Sequence, residues 1–216
     1  MQAPVQQSVD PRHWVAAATG AKLGDRAREL QDDDLDGRSY LERLMAHQLY
    51  ADAIRFLAQI LPKRQAVWWA CMCAWQSCRP SPPTEVLGSF RRALRWVLDP
   101  HEAHRQAAKV TEFTKALQTS AGSLPVAVVW SGGSMTDPGL PRVPPPDYLT
   151  GRAAAHAILL AAAEREPMKY LHHYRQFLAL GLEVAEGKIL WTGPEGDSVS
   201  GAEAPESVVE ELVSVR

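Results

Sequence analysis

Apolar residues recur along this chain at spacings of three and four, the period of a helix that turns one face to a core. The pattern becomes continuous at Leu41, Leu44, Met45, Leu49, Ala53, Phe56, Leu57 and Ile60. It predicts one long helix opened by Ser39 and Glu42, a capping box in which two free backbone donors are satisfied reciprocally. Pro62 forbids helical geometry at Leu61 and suits the first position of a following helix. From Ala66 to Trp75 ten consecutive residues are apolar. Wound as a helix, this stretch is hydrophobic all round and has to be enclosed. It is about half the length needed to cross a bilayer, so it reads as the buried centre of a protein. Trp68, Trp69, Met72 and Trp75 are the core side chains it supplies, and the helix runs to about Cys78.

Beyond the break at Arg79-Pro80-Ser81-Pro82-Pro83, a third strong helix carries Val86, Leu87, Phe90, Leu94, Val97 and Leu98 on one face. Arg91, Arg92 and Arg95 fall on the opposite face. Asp99-Pro100 then reads as a cap and first helical position, opening a helix with Ala103, Ala107, Val110, Thr114 and Leu117 on one stripe and Gly122 at its end. Residues 124–130 fit a buried strand or a short buried helix; the helix is favoured because a lone strand has no partner. Five prolines between Thr136 and Pro146 predict an extended, polyproline-like crossover. An alanine-rich helix follows from Asp147 or Thr150, and Tyr170, Leu171, Tyr174, Phe177, Leu178 and Gly181 face the last long one, ended by Gly187. Shorter helices are expected around Trp14–Ala18 and Leu23–Leu30, with Asp32, Asp33, Asp34 and Asp36 as a solvated run or cap.

Composition narrows the class. A chain of 216 residues buries enough surface, about 70% of the unfolded total, to be stable without a disulfide or metal. A net charge of −2 and a pI near 6.4 argue against generic nucleic-acid binding. Cys71, Cys73 and Cys78 are odd in number and crowded into one helix, where Cys71 and Cys73 diverge. They read as reduced core thiols. The first residues show neither a basic segment nor an apolar run, so a cytoplasmic protein without membrane insertion is expected.

The candidate chemistry is sparse. Cys71-x-Cys73 has the wrong spacing for structural zinc. His101-Glu102-Ala103-His104 is one residue short of a zincin motif, and His172-His173 point to different sides of a helix. Trp130-Ser131-Gly132-Gly133-Ser134 matches neither a nucleophile elbow nor a phosphate loop. No catalytic residue, metal or cofactor is assigned. More informative are Arg91, Arg92 and Arg95, a preorganised set of bidentate donors suited to an acidic protein segment. Lys63, Arg64 and Arg79 lie near enough in sequence to extend that patch. The crossover, with Pro138, Pro141 and Pro144, is a second candidate surface, because exposed polyproline is a low-entropy protein ligand.

The stretch Ala51-Asp52-Ala53-Ile54-Arg55-Phe56-Leu57-Ala58, followed by Leu61-Pro62-Lys63-Arg64-Gln65-Ala66-Val67-Trp68-Trp69-Ala70-Cys71, resembles an uncharacterised bacterial family with a DA-x-x-FLA…LP-[KR]-R-x-AVWWA core. Trp130–Ser134 and the prolines after it resemble its second block, and the similarity covers about residues 40–165. The family is associated with type VI secretion loci, near spike, tip and adaptor genes. That resemblance implies an accessory role and carries over no catalytic residue.

Together these readings give an all-α, compact multi-helix bundle of about seven helices, built from antiparallel hairpins with some solenoid character. Its parts are a partly flexible N-terminal segment (1–36), a helical domain (37–191) with the crossover at 136–146, and an acidic tail (192–216) in which 206–213 fits a short helix. The expected role is non-enzymatic protein binding, as an adaptor or co-chaperone for a type VI secretion effector or tip protein. An immunity protein is the alternative within the binding class. An enzyme with an unfamiliar site around Trp130–Ser134, His101 and His104 is the alternative outside it.

Overall fold

The computed structural model describes residues 11–32, 34–136, 139–189 and 191. Among them are eleven α-helices and one 3-10 turn, with no strand. The fold is a compact all-α bundle. Its interior consists of three helices in mutual contact: α5 (Lys63–Cys78), α9 (Ser120–Val129) and α10 (Tyr148–Arg165). All ten residues from Ala66 to Trp75 are buried, with Trp68 and Trp69 fully so. The sequence anticipates this for α5 and for the 124–129 part of α9, but not that α9 begins at Ser120; every residue of α9 except Gly122 is buried. Between them α10 presents Ala153, Ala154, Ala155, Ala157, Ala161 and Ala162 to the core. These short side chains let neighbouring helices approach closely on more than one side.

The outer helices cover this centre. α4 (Tyr50–Ile60) lies on α10, and α11 (Tyr170–Ala185) lies on α4, α5 and α10. Trp69 Nε1 donates to the Phe177 carbonyl at 2.8 Å. A Cβ on Gly181 would come within 2.6 Å of the same indole, so glycine is what permits this approach. α6 (Thr84–Leu98) packs on α9 and α5, and Phe90 meets Trp75 edge-on at 5.3 Å. At the other end α1 (Pro11–Ala21) buries Trp14 against Tyr40 of α3 (Gly37–Ala46) and Phe56 of α4. α2 (Asp25–Glu29) is tied to this cluster by the Tyr40 hydroxyl, which donates to the Ala27 carbonyl at 2.7 Å. Burial pushes that phenol up to about 12, so it remains a donor throughout the physiological range.

Four sequence expectations are corrected here. The long helix from Ser39 to Ile60 is two, because His47, Gln48 and Leu49 turn the chain, with Gln48 at φ 59° in place of the usual glycine. The start of α3 is capped by Asp36, whose carboxylate accepts from the Ser39 N–H at 2.7 Å, and Glu42 pairs with Arg38 instead of closing a capping box. Pro62 is the cap residue of α5 and not its first helical position. The single helix expected after Asp99 is the short pair α7 (Glu102–Ala107) and α8 (Phe113–Ala116), while Gly122 lies inside α9. These extra breaks raise the helix number above the seven expected. Residues 124–129 are helical, as favoured, with Trp130 as the C-cap: Thr119 accepts from the Gly122 N–H, and Glu164 accepts from the Ser120 N–H at 2.8 Å. A carboxylate at that terminus also suits the helix dipole.

Candidate functional site

The residues of the quoted sequence blocks serve architecture. Asp52 accepts from the Gly24 N–H at 3.0 Å and pairs with Arg55, fixing the link between α1 and α2 to α4. Arg64 donates to the carbonyls of Val97 (2.6 Å) and Leu98 (2.9 Å), closing the end of α6, and its guanidinium lies 4.0 Å from the Trp191 ring centre. Burial lowers its pKa, partly opposed by the Asp99 carboxylate. Lys63 donates to the Ser131 carbonyl at 3.2 Å and to Asp147 at 3.0 Å. The expectation that Lys63 and Arg64 extend the arginine patch is therefore corrected. Both cations are committed to helix ends and to the crossover.

Lys63 defines the crossover as a closed loop, since Ser131 and Asp147 are its two ends. The chain doubles back between them: the Met135 N–H donates to the Val143 carbonyl at 2.8 Å. Ser134 Oγ accepts from the Val143 and Thr136 N–H groups, and Thr136 Oγ1 donates to the Pro141 carbonyl. This replaces the extended crossover expected from five prolines. The prolines fix φ but leave the direction of the chain to Ser134 and Lys63. Pro141 and Pro144 are exposed, and Pro138 lies outside the described residues. Met135, Leu140 and Val143 also stand out into solvent, with Leu140 62% exposed.

Beneath the loop sits Arg105, a residue the sequence reading passed over. It is 2% exposed and donates twice to Glu102, at 2.7 and 2.6 Å, and once to the Val129 carbonyl at the end of α9. Gly133, at φ +70°, lies directly over the guanidinium. Hydrogen bonding to Arg105 holds the Glu102 carboxyl down at about 2. The one sequence signal for this pair is the spacing of three between Glu102 and Arg105, common on any helix.

The remaining candidates are taken up in separate local contacts. His101 Nε2 and His104 Nδ1 both meet Asp99, at 3.2 Å to its carboxylate and 2.8 Å to its carbonyl. Ser131 Oγ donates to the Val128 carbonyl, and Trp130 stacks on Phe113. His173 is buried and His172 exposed, as their adjacency requires. Burial pushes the thiols of Cys71 and Cys73 well above their ordinary range, because an apolar interior disfavours the thiolate. Among the described residues no three His, Cys, Asp or Glu side chains converge as a metal would need. No described helix is long and apolar enough to cross a membrane.

Arg91, Arg92 and Arg95 stand exposed on α6, opposite Phe90, Leu94 and Val97. Among the described residues Arg92 reaches only Ser89 Oγ, at 3.4 Å, and none of the three forms an ion pair.

Residues 40–185 match the model of a family described as being of unknown function (DUF6931). The chain belongs to this family. The match takes in both resembling blocks and extends through α11, so the central helices, the closed loop and the arginine face all lie within the family region. No curated protein matches the chain. No solved structure matches it either.

Proposed function

We propose that the protein works by binding another protein, with the arginine face of α6 as the contact surface. The observation that carries this reading is the state of Arg91, Arg92 and Arg95, three neighbouring cations without a described carboxylate partner. A rigid helix presents them at spacings that suit successive carboxylates of an acidic segment. The closed loop, with its exposed Met135, Leu140 and Val143, supplies apolar contact area that a second docking point would use. The family resemblance offers the most concrete partner, a type VI secretion effector, tip or adaptor component, which makes the protein an adaptor or co-chaperone.

The test is charge reversal. Arg91→Glu with Arg95→Glu leaves helicity and melting nearly intact, since neither side chain enters the core. Capture of the partner by the tagged protein falls, and wild-type capture weakens with added salt. A folded double variant that captures the same proteins at the same yield removes this face from consideration and leaves the loop tip as the candidate.

A further inference from the structure

The net charge of −2 hides an uneven distribution. Six of the chain's 25 carboxylates but one of its 23 cations lie beyond Trp191, giving that tail −5 and the first 191 residues +3. The tail's carboxylates include Glu203, Glu206 and Glu210, at spacings of three and four. Arg91, Arg92 and Arg95 repeat at one and three on α6, so Arg91 to Arg95 spans the same four residues as Glu206 to Glu210.

The described chain also ends in the right place. Trp191 lies against Arg64, and Arg64 holds the Val97 and Leu98 carbonyls at the last turn of α6. The path to the tail acids thus starts beside the end of the helix that carries the arginines. From Leu98 back to Arg91 is about 10 Å along the axis. Residues 192–202 span up to about 35 Å when extended, so reach imposes no limit. A contact within one chain also acts at an effective concentration of roughly millimolar, enough for a few surface ion pairs to matter together.

We infer that the acidic segment 203–211 of this chain docks on Arg91, Arg92 and Arg95, and that the tail is an internal competitor for the surface on which a partner binds. The contact stands on charge and position alone; its regulatory meaning rests on the docking reading above.

The experiment is arginine footprinting of the full chain with phenylglyoxal, mapped by mass spectrometry, with the exposed Arg175 as internal reference. At low salt Arg91, Arg92 and Arg95 are modified at least about threefold more slowly relative to Arg175 than in the variant Glu206→Gln, Glu210→Gln, Glu211→Gln, and the protection disappears at about 0.5 M salt. Equal rates in the two proteins overturn the inference, as does tail-dependent protection of other arginines instead. Protection that rises with protein concentration assigns the contact to a second copy and overturns it as an intramolecular one. The melting temperature of the variant is measured alongside, so that the footprints compare two folded proteins.

No partner is needed for this readout, so its failure leaves the docking reading standing. Conversely, unchanged capture by the Arg91→Glu, Arg95→Glu protein sinks the docking reading without touching the footprint. Where both hold, the glutamine variant captures more partner than the wild type.

Discussion

The guanidinium of Arg105 occupies the space that a side chain on Gly133 would need. A Cβ there would fall 2.1 Å from Nη2, and the backbone at φ +70° disfavours any other residue. Arg105 cannot swing away without abandoning Glu102 and the Val129 carbonyl. Gly133→Ala is therefore expected to destabilise the protein by about 2 kcal/mol or more in urea titrations. Gly132 has open space around it. Gly132→Ala is expected to stay within about 0.5 kcal/mol of wild type. Equal effects at the two positions would show that the buried guanidinium does not set the requirement.

The same pair produces an acid-sensitive contribution. Hydrogen bonding to Arg105 lowers the Glu102 carboxyl from 4.5 to about 2. A depressed carboxylate contributes stability above its unfolded value and loses it as pH falls towards its folded value. Wild-type stability should thus drop between pH 4.5 and about 2 more steeply than that of Glu102→Gln. At neutral pH the glutamine variant is expected to be weaker by roughly 1–3 kcal/mol, because a buried arginine loses its countercharge while solvent screens the open carboxylate. Parallel stability curves for the two proteins across that window would contradict the assignment.

Trp68 and Trp69 are adjacent and fully buried, yet only one uses its N–H. Trp69 donates to Phe177, whereas Trp68 Nε1 finds no partner among the described residues. Both phenylalanine variants lose volume, but Trp69→Phe also breaks a hydrogen bond between α5 and α11. It is expected to cost about 1 kcal/mol more than Trp68→Phe in chemical denaturation. The reverse order would mean that packing, not the indole bond, decides the difference.

The thiols offer a kinetic check on the interior. Thiolate is the reactive form, and burial suppresses it at Cys71 and Cys73 most strongly. In the native protein these two should be silent to Ellman's reagent, the half-buried Cys78 should react slowly, and denaturant should release all three. Chelator is expected to leave the melting temperature unchanged. Stoichiometric zinc in purified protein would reinstate a metal site.

Periodicity reveals α5, α6, α10 and α11 because each has an apolar pattern long enough to exclude other readings. It fails where a side chain, not a pattern, makes the decision. Gln48 ends α3 in a left-handed conformation that its own chemistry does not announce, so by spacing alone Leu49 continues the helix. The crossover is misread for the same reason: the prolines are visible, but the hydroxyl of Ser134 and the reach of Lys63 across 68 residues to Ser131 are not. Of the candidate surface, exposure of Arg91, Arg92 and Arg95 follows directly from their phase against Phe90 and Leu94. That Lys63 and Arg64 are unavailable to the same patch depends on carbonyls more than thirty residues away, which no local spacing encodes.

Lys63 touches both ends of the loop and nothing at its tip, so the entry and exit points of that segment belong to the bundle while its length does not. Among the described residues between Met135 and Val143, Gly139, Leu140, Pro141 and Arg142 are exposed, so replacements there are expected to leave α9 and α10 where they are. The exposed residues of the tip can thus change in sequence over an unaltered helical frame. Variation on that exposed segment costs the fold little.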